Sequence, residues 1–228
     1  MVLTAATIAL PTVVEVETYV VRLWLPDRPG ALGQVAGRIG IAEGDVTGIE
    51  ILERGGGNAI DELTVSLPRE GMVGRLVDEI RRVEGVAVED VRRVSQDRPD
   101  AAMAALTMAA RLASGDSYHR LRMFCAGLRD LVDGDWSVIL IGDSDEPLAS
   151  SGVVPDVGWL TAFVQGSRHL QQPNESTPSD IVWVHIDALR ATAIAGRSGR
   201  PFHSRERQQV ELLGQVVGGS ATFVEGRR

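Results

Sequence analysis

The sequence predicts an α+β chain in two parts. Three observations predict it. Residues 18–95 carry strand and helix signals in the order strand, helix, strand, strand, helix, strand; residues 96–100 are a polar, proline-containing break; and residues 101–228 begin with two helical patterns before any strand.

In the first part, residues 19–25 (Tyr-Val-Val-Arg-Leu-Trp-Leu) alternate and are rich in β-branched and aromatic residues, which predicts a strand. Leu32, Val35, Ala36 and Ile39 then recur at helical spacing. Residues 44–54 form a second alternating strand, and Gly55, Gly56, Gly57 and Asn58 make a hairpin turn. Residues 59–67 form a third strand, ended by Pro68. Met72, Leu76, Val77, Ile80 and Val83 predict a helix that Gly85 stops, and residues 86–94 a fourth strand. This order is the split βαβ, or ferredoxin-like, plan.

The most informative stretch lies between the first strand and first helix: Asp27, Arg28, Pro29, Gly30, Ala31 and Leu32. The amides of a helix's first turn have no partners within the helix, and its dipole places partial positive charge there. Gly30 lets another molecule approach the backbone closely. Such a corner can hold a carboxylate or phosphate. The competing reading is a plain strand-to-helix turn.

Together these features resemble the ACT domain family over residues 18–95. The carriers are the 27–32 loop, the short helix closing at Gly44, the Asp45-Val46-Thr47-Gly48-Ile49 entry to the second strand, and Glu62-Leu63-Thr64-Val65-Ser66-Leu67-Pro68 in the third. The resemblance implies a regulatory module that binds an amino acid between one domain's first loop and a partner domain, hence a homodimer. The implied ligand-binding residues are Asp27, Arg28, Pro29, Gly30, Ala31, Leu32, Asp45 and Val46. Asp45 stands where many ACT domains carry Asn. An ionised carboxylate only accepts hydrogen bonds, so it favours a ligand's ammonium and repels its carboxylate; the alternative is a turn residue capping its own backbone. In the expected arrangement, the amides of Arg28, Gly30, Ala31 and Leu32 hold the carboxylate. Asp27 and Asp45 meet the ammonium, and two copies pair through the first strand and first helix.

The chain has 228 residues, enough for two ordinary domains, and 44% of them are hydrophobic, as in a folded protein. No stretch of about 20 apolar residues predicts a membrane span. Residues 1–17 read as an N-terminal extension; residues 1–10 are apolar but lack the basic residues of a signal peptide, and 12–16 are either lead-in or an extra edge strand. The formal net charge of −8 argues against nucleic acid as a partner. One cysteine, Cys125, permits no internal disulfide and suits a reducing cytoplasm. All 23 basic residues are Arg, so a Schiff-base lysine and a Walker A loop are excluded. No cofactor is expected.

The second part opens with helices over 101–112 and 119–131, the latter burying Leu121, Phe124, Cys125 and Leu128. A buried strand follows at 136–141, a short strand at 147–152, a helix at 159–170, and a strand pair at 181–186 and 191–196. A final helix covers 208–217, with Ser204 as its expected N-cap. The ending, Ile194-Ala195-Gly196 then Arg200-Pro201-Phe202-His203-Ser204-Arg205-Glu206, resembles GAF domains over roughly residues 100–222. These are sensory modules that bind small molecules or mediate dimers; the lysine-containing signature of cyclic-nucleotide binders is absent.

Catalytic and metal candidates are thin. His119, His169, His185 and His203 are scattered without metal-ligand spacing. Asp143, Ser144, Asp145 and Glu146 read as a solvated turn, and Ser150-Ser151-Gly152 is no nucleophile elbow. Asp61 and Glu62 read as charges protecting a sheet edge. The expectation is a non-catalytic regulator; the alternative is a ligand-free module that docks a partner protein.

Overall fold

The computed structural model describes residues 16–69, 71–113, 116–142, 144, 146–167 and 179–225. The chain divides into two compact units, one through Arg98 and one from Pro99. No helix among the described residues is long and apolar enough to cross a membrane.

The first unit runs β1 (Glu17–Pro26), α1 (Ala31–Ile41), β2 (Asp45–Gly55), β3 (Asn58–Leu67), α2 (Val73–Ile80) and β4 (Ala87–Val94). Its antiparallel sheet has the order β2-β3-β1-β4, so the ferredoxin-like plan holds. β1 is buried almost throughout because both its sides are paired: Val21 faces Leu63 on β3 and Val91 on β4. At its start, Thr18 faces Val94 at the end of β4. β1 is interior, so strand pairing between copies through it is ruled out; among the described strands the sheet's edges are β2 and β4.

Alternation sets the two faces of this sheet. Val21, Leu23 and Leu25 of β1 and Leu63 and Val65 of β3 pack under Val35 and Ile39 of α1 and Leu76 and Ile80 of α2. The opposite face carries ions. The Arg22 guanidinium donates to the Glu62 carboxylate at 2.7 and 3.1 Å, and Arg92 donates to both Glu62 oxygens at 3.2 Å. Burial alone would raise the Glu62 pKa, but Arg92 and Arg22 outweigh it and hold the carboxylate below its ordinary value. The expected edge role for Asp61 and Glu62 is thus corrected: β3 is an interior strand, and the two residues point to opposite faces within it.

The second unit runs α3 (Ala101–Leu112), α4 (Ser117–Leu131), β5 (Trp136–Ile141), β6 (Ala149–Gly152), α5 (Val157–Ser167), β7 (Ile181–Ile186), β8 (Ala191–Gly196) and α6 (Ser204–Glu225), with a short 3-10 turn at Asp187–Leu189. Its antiparallel sheet has the order β6-β5-β8-β7. One face packs Ile139, Val182 and Ala193 against Leu112, Phe124, Leu128 and Leu213 of the helices. The other packs Trp136, Val138, Leu140 and Ile194 against Leu160 and Val164 of α5. Cys125 is a free, buried thiol beside Ser137, whose hydroxyl donates to the Cys125 carbonyl at 2.7 Å.

Two caps differ from the sequence reading. Asp100, expected in the break, caps α3 by accepting from the Met103 amide at 2.8 Å. Ser204 is already helical. The Glu206 carboxylate reaches back to accept from the His203 amide at 2.9 Å, one half of a capping box, so His203 takes the capping position. The expected strand over 12–16 falls outside the described residues but for Val16, as do His169, Asp143, Asp145 and the last three residues of the expected 159–170 helix.

Candidate functional site

Pro26, with no amide hydrogen, ends β1. The Asp27 amide donates to the Gly57 carbonyl at 3.0 Å, tying the corner to the β2–β3 hairpin, and the Arg28 amide turns back to Pro26 at 2.8 Å. Gly30 then adopts φ +86°, a left-handed conformation that favours glycine, and α1 starts with no side-chain cap. The Ala31 amide donates to the Arg28 carbonyl at 3.2 Å, and Gln34 to Gly30 at 3.0 Å.

Of the four amides expected to face a carboxylate, those of Arg28 and Ala31 are thus engaged within the corner. Those of Gly30 and Leu32 have no partner among the described residues, and neither has that of Gly33, which sequence reasoning omitted. Asp27, Arg28, Pro29, Gly30 and Gly33 are exposed and Leu32 is half-buried, so the corner is open. Beside it lies a cavity of about 500 Å³ lined by Arg28, Gln34, Arg38, Ile41 and Arg82 among others. The Arg28 guanidinium donates to the Gln34 side chain at 3.3 Å, whereas Arg38 and Arg82 are both held by Glu79, at 3.3 and 2.7 Å.

Asp45 and Val46 lie elsewhere. Asp45 opens β2 opposite Ser66, while the corner joins the sheet where Pro26 faces Asn58. Eight residue steps along β3 separate these points, about 25 Å of strand. One chain does not bring Asp45 and Val46 to the corner.

Asp61 is the polar residue that sequence reasoning misplaced. It is only 3% exposed, and its Oδ1 is buried without a partner among the described residues. Burial pushes its carboxyl above the ordinary value; Arg54 pulls it down and Asp27 adds to the rise. The signal was present in the sequence: Asp61 is in phase with Ala59, Leu63 and Val65, all facing the helices.

No protein-family model and no curated protein matches this chain. Several solved structures resemble parts of it. The ACT domain from the GTP pyrophosphokinase of Chlorobium tepidum is 22% identical, covers 34% of this chain and 96% of its own, and has a TM-score of 0.28. The C-terminal domain of the MgtC protein from Mycobacterium tuberculosis is 18% identical, covering 37% of this chain and 95% of its own at a TM-score of 0.30. The GAF domain from the Acinetobacter phosphoenolpyruvate-protein phosphotransferase is 12% identical, covering 57% of this chain and 98% of its own at a TM-score of 0.40. The neighbours of this structure therefore include both domain types that the sequence resembles.

Proposed function

We propose that this chain is a non-catalytic regulator of the cytoplasm whose first unit binds an amino acid between two copies. The observation that carries the reading is the open corner at the start of α1, where the Gly30, Leu32 and Gly33 amides have no partners among the described residues. Three amides and a helix dipole favour a carboxylate there, and Arg28 adds a full charge at the rim. Asp27 of the same chain meets the ammonium.

The second copy follows from the distance between the corner and Asp45. β2 is an edge strand. If the β2 strands of two copies pair antiparallel, the Asp45 end of one meets the Gly55 end of the other, which adjoins the corner. Asp45 and Val46 of one copy then complete the site of the other. Ligand that binds two geometries of the pair unequally shifts the balance between them, which is the regulatory output.

A thermal-shift screen of the twenty amino acids on the full chain tests this. One or two ligands should raise the first unit's stability by about 2.7 kcal/mol at a hundred times Kd. Gly30→Asp should abolish the effect, since Asp tolerates the left-handed backbone but repels a carboxylate. The rival reading, a ligand-free docking module, draws on Ile49, which β2 leaves 53% exposed. A flat screen with a stable dimer would decide for that rival.

A further inference from the structure

The α5 side of the second unit's sheet holds a cavity of about 320 Å³, lined by Trp136, Asp156, Trp159, Asp180 and the Gly196–Ser198 backbone among others. Its aromatic wall is built into the fold. Trp136 on β5 faces Gly196 on β8, and a side-chain carbon at Gly196 would lie 2.3–2.8 Å from the indole atoms Cζ2, Cε2 and Nε1. The ring therefore lies directly on the β8 backbone, where only glycine leaves room. It is 9% exposed, and its Nε1–H has no partner among the described residues. Trp159, 46% exposed, stacks on Phe163 at 5.7 Å, and Phe163 meets Trp183 edge-on at 5.0 Å. The second indole thus rests on Phe163, which Trp183 braces in turn.

The polar lining has one sign. Asp156, exposed, caps α5 through Oδ1, which accepts from the Trp159 amide at 2.9 Å. The Asp180 carboxylate has no partner among the described residues, although its carbonyl accepts from the Arg197 amide at 3.1 Å. Among the described residues that line the cavity, Arg197 is the one basic residue, and its guanidinium is engaged elsewhere. It donates to the carbonyls of Val132, Arg200 and Pro201 and to the Glu206 carboxylate, over the face of Phe202.

Two indoles and two carboxylates, with no available cation among the described lining residues, disfavour an anionic ligand. A neutral apolar ligand would leave the carboxylates unused. A positive charge with an apolar shell satisfies both, because ring faces attract cations most strongly where they are most desolvated. We propose that this cavity binds a small organic cation of the alkylammonium class. The volume, at the low end of ligand sites, limits the guest to a compact molecule. The unpartnered Trp136 N–H favours a guest that also carries an oxygen acceptor.

The test uses the full chain, with choline chloride as probe and sodium chloride as the matched salt control. Calorimetry should show saturable choline binding. The neutral isostere, in which carbon replaces the ammonium nitrogen, should bind at least about tenfold more weakly. Trp159→Ala, at an exposed residue, and Asp180→Asn, at a half-buried one, should each weaken choline by about tenfold. Their thermal midpoints should match the unsubstituted chain, which separates lost binding from lost folding. No choline binding to the unsubstituted chain, equal binding of the isostere, or unchanged choline affinity in both variants overturns the proposal.

Discussion

Replacing Asp61 by Asn removes a charge and keeps the shape of the side chain. Asp61 sits on the helix-facing side of an interior strand, opposite Leu23 on β1, with Oδ1 buried and unpartnered among the described residues. An unsatisfied buried polar group carries a desolvation penalty of about 1–3 kcal/mol, and more when ionised. Asn still needs hydrogen-bond partners, so only the ionic part is relieved, about 1–2 kcal/mol. The pH dependence gives this a sign. The folded-state pKa of Asp61 is raised above 3.8, so the folded chain binds the extra proton and loses stability as pH rises through that window. The penalty is full above the raised folded value and absent below 3.8. Native-state hydrogen exchange of the β1 and β3 amides, which open with the sheet, reads the stability of this unit alone. The expected result is a gain for Asp61→Asn at neutral pH that closes on acidification. No gain at neutral pH, or a gain of equal size at low pH, refutes the account.

Two further predictions rest on packing and charge. Glu62→Ala leaves the Arg22 guanidinium, 2% exposed, without its main partner and should cost about 3–5 kcal/mol in denaturant unfolding. Because the folded-state pKa of Glu62 is depressed below 4.5, its contribution is present above that value and is lost as pH falls through the depressed one; the gap between the two proteins should narrow there. Gly196→Ala places a carbon 2.3 Å from Trp136 Cζ2 and should destabilise the second unit by about 1–3 kcal/mol, with a changed near-ultraviolet signal from the displaced indole.

Local chemistry was legible in the sequence, and long-range placement was not. Pro29 and Gly30 mark the corner, the Gly55–Asn58 cluster marks the hairpin, and alternation marks the strands, because each is a property of a few adjacent residues. The element order carries the ferredoxin-like plan, but which strand a second copy can reach and which strand face a given side chain occupies depend on the assembled sheet. For that reason the expected pairing of two copies through β1 meets an interior strand, and Asp61, read as an edge charge, is buried. The same cause separates Asp45 from the corner: 18 positions in sequence become about 25 Å of sheet. Which amides stay free was also beyond reach. The Arg28 and Ala31 amides close the turn itself, and only the backbone path shows it. The second cavity gave no motif, since Trp136, Trp159 and Asp180 come from three separate elements.

Thr18 and Val94, facing one another across β1 and β4, mark the doorway of the first unit. A polypeptide that enters and leaves a fold through neighbouring hydrogen-bonded positions can be spliced into a host loop as a cassette. It spreads the host's ends by little more than the gap between adjacent strands, about 5 Å. The same adjacency lets a short linker join the two ends and new termini open at the exposed Gly56–Gly57 tip, giving a circular permutant that keeps every strand pairing.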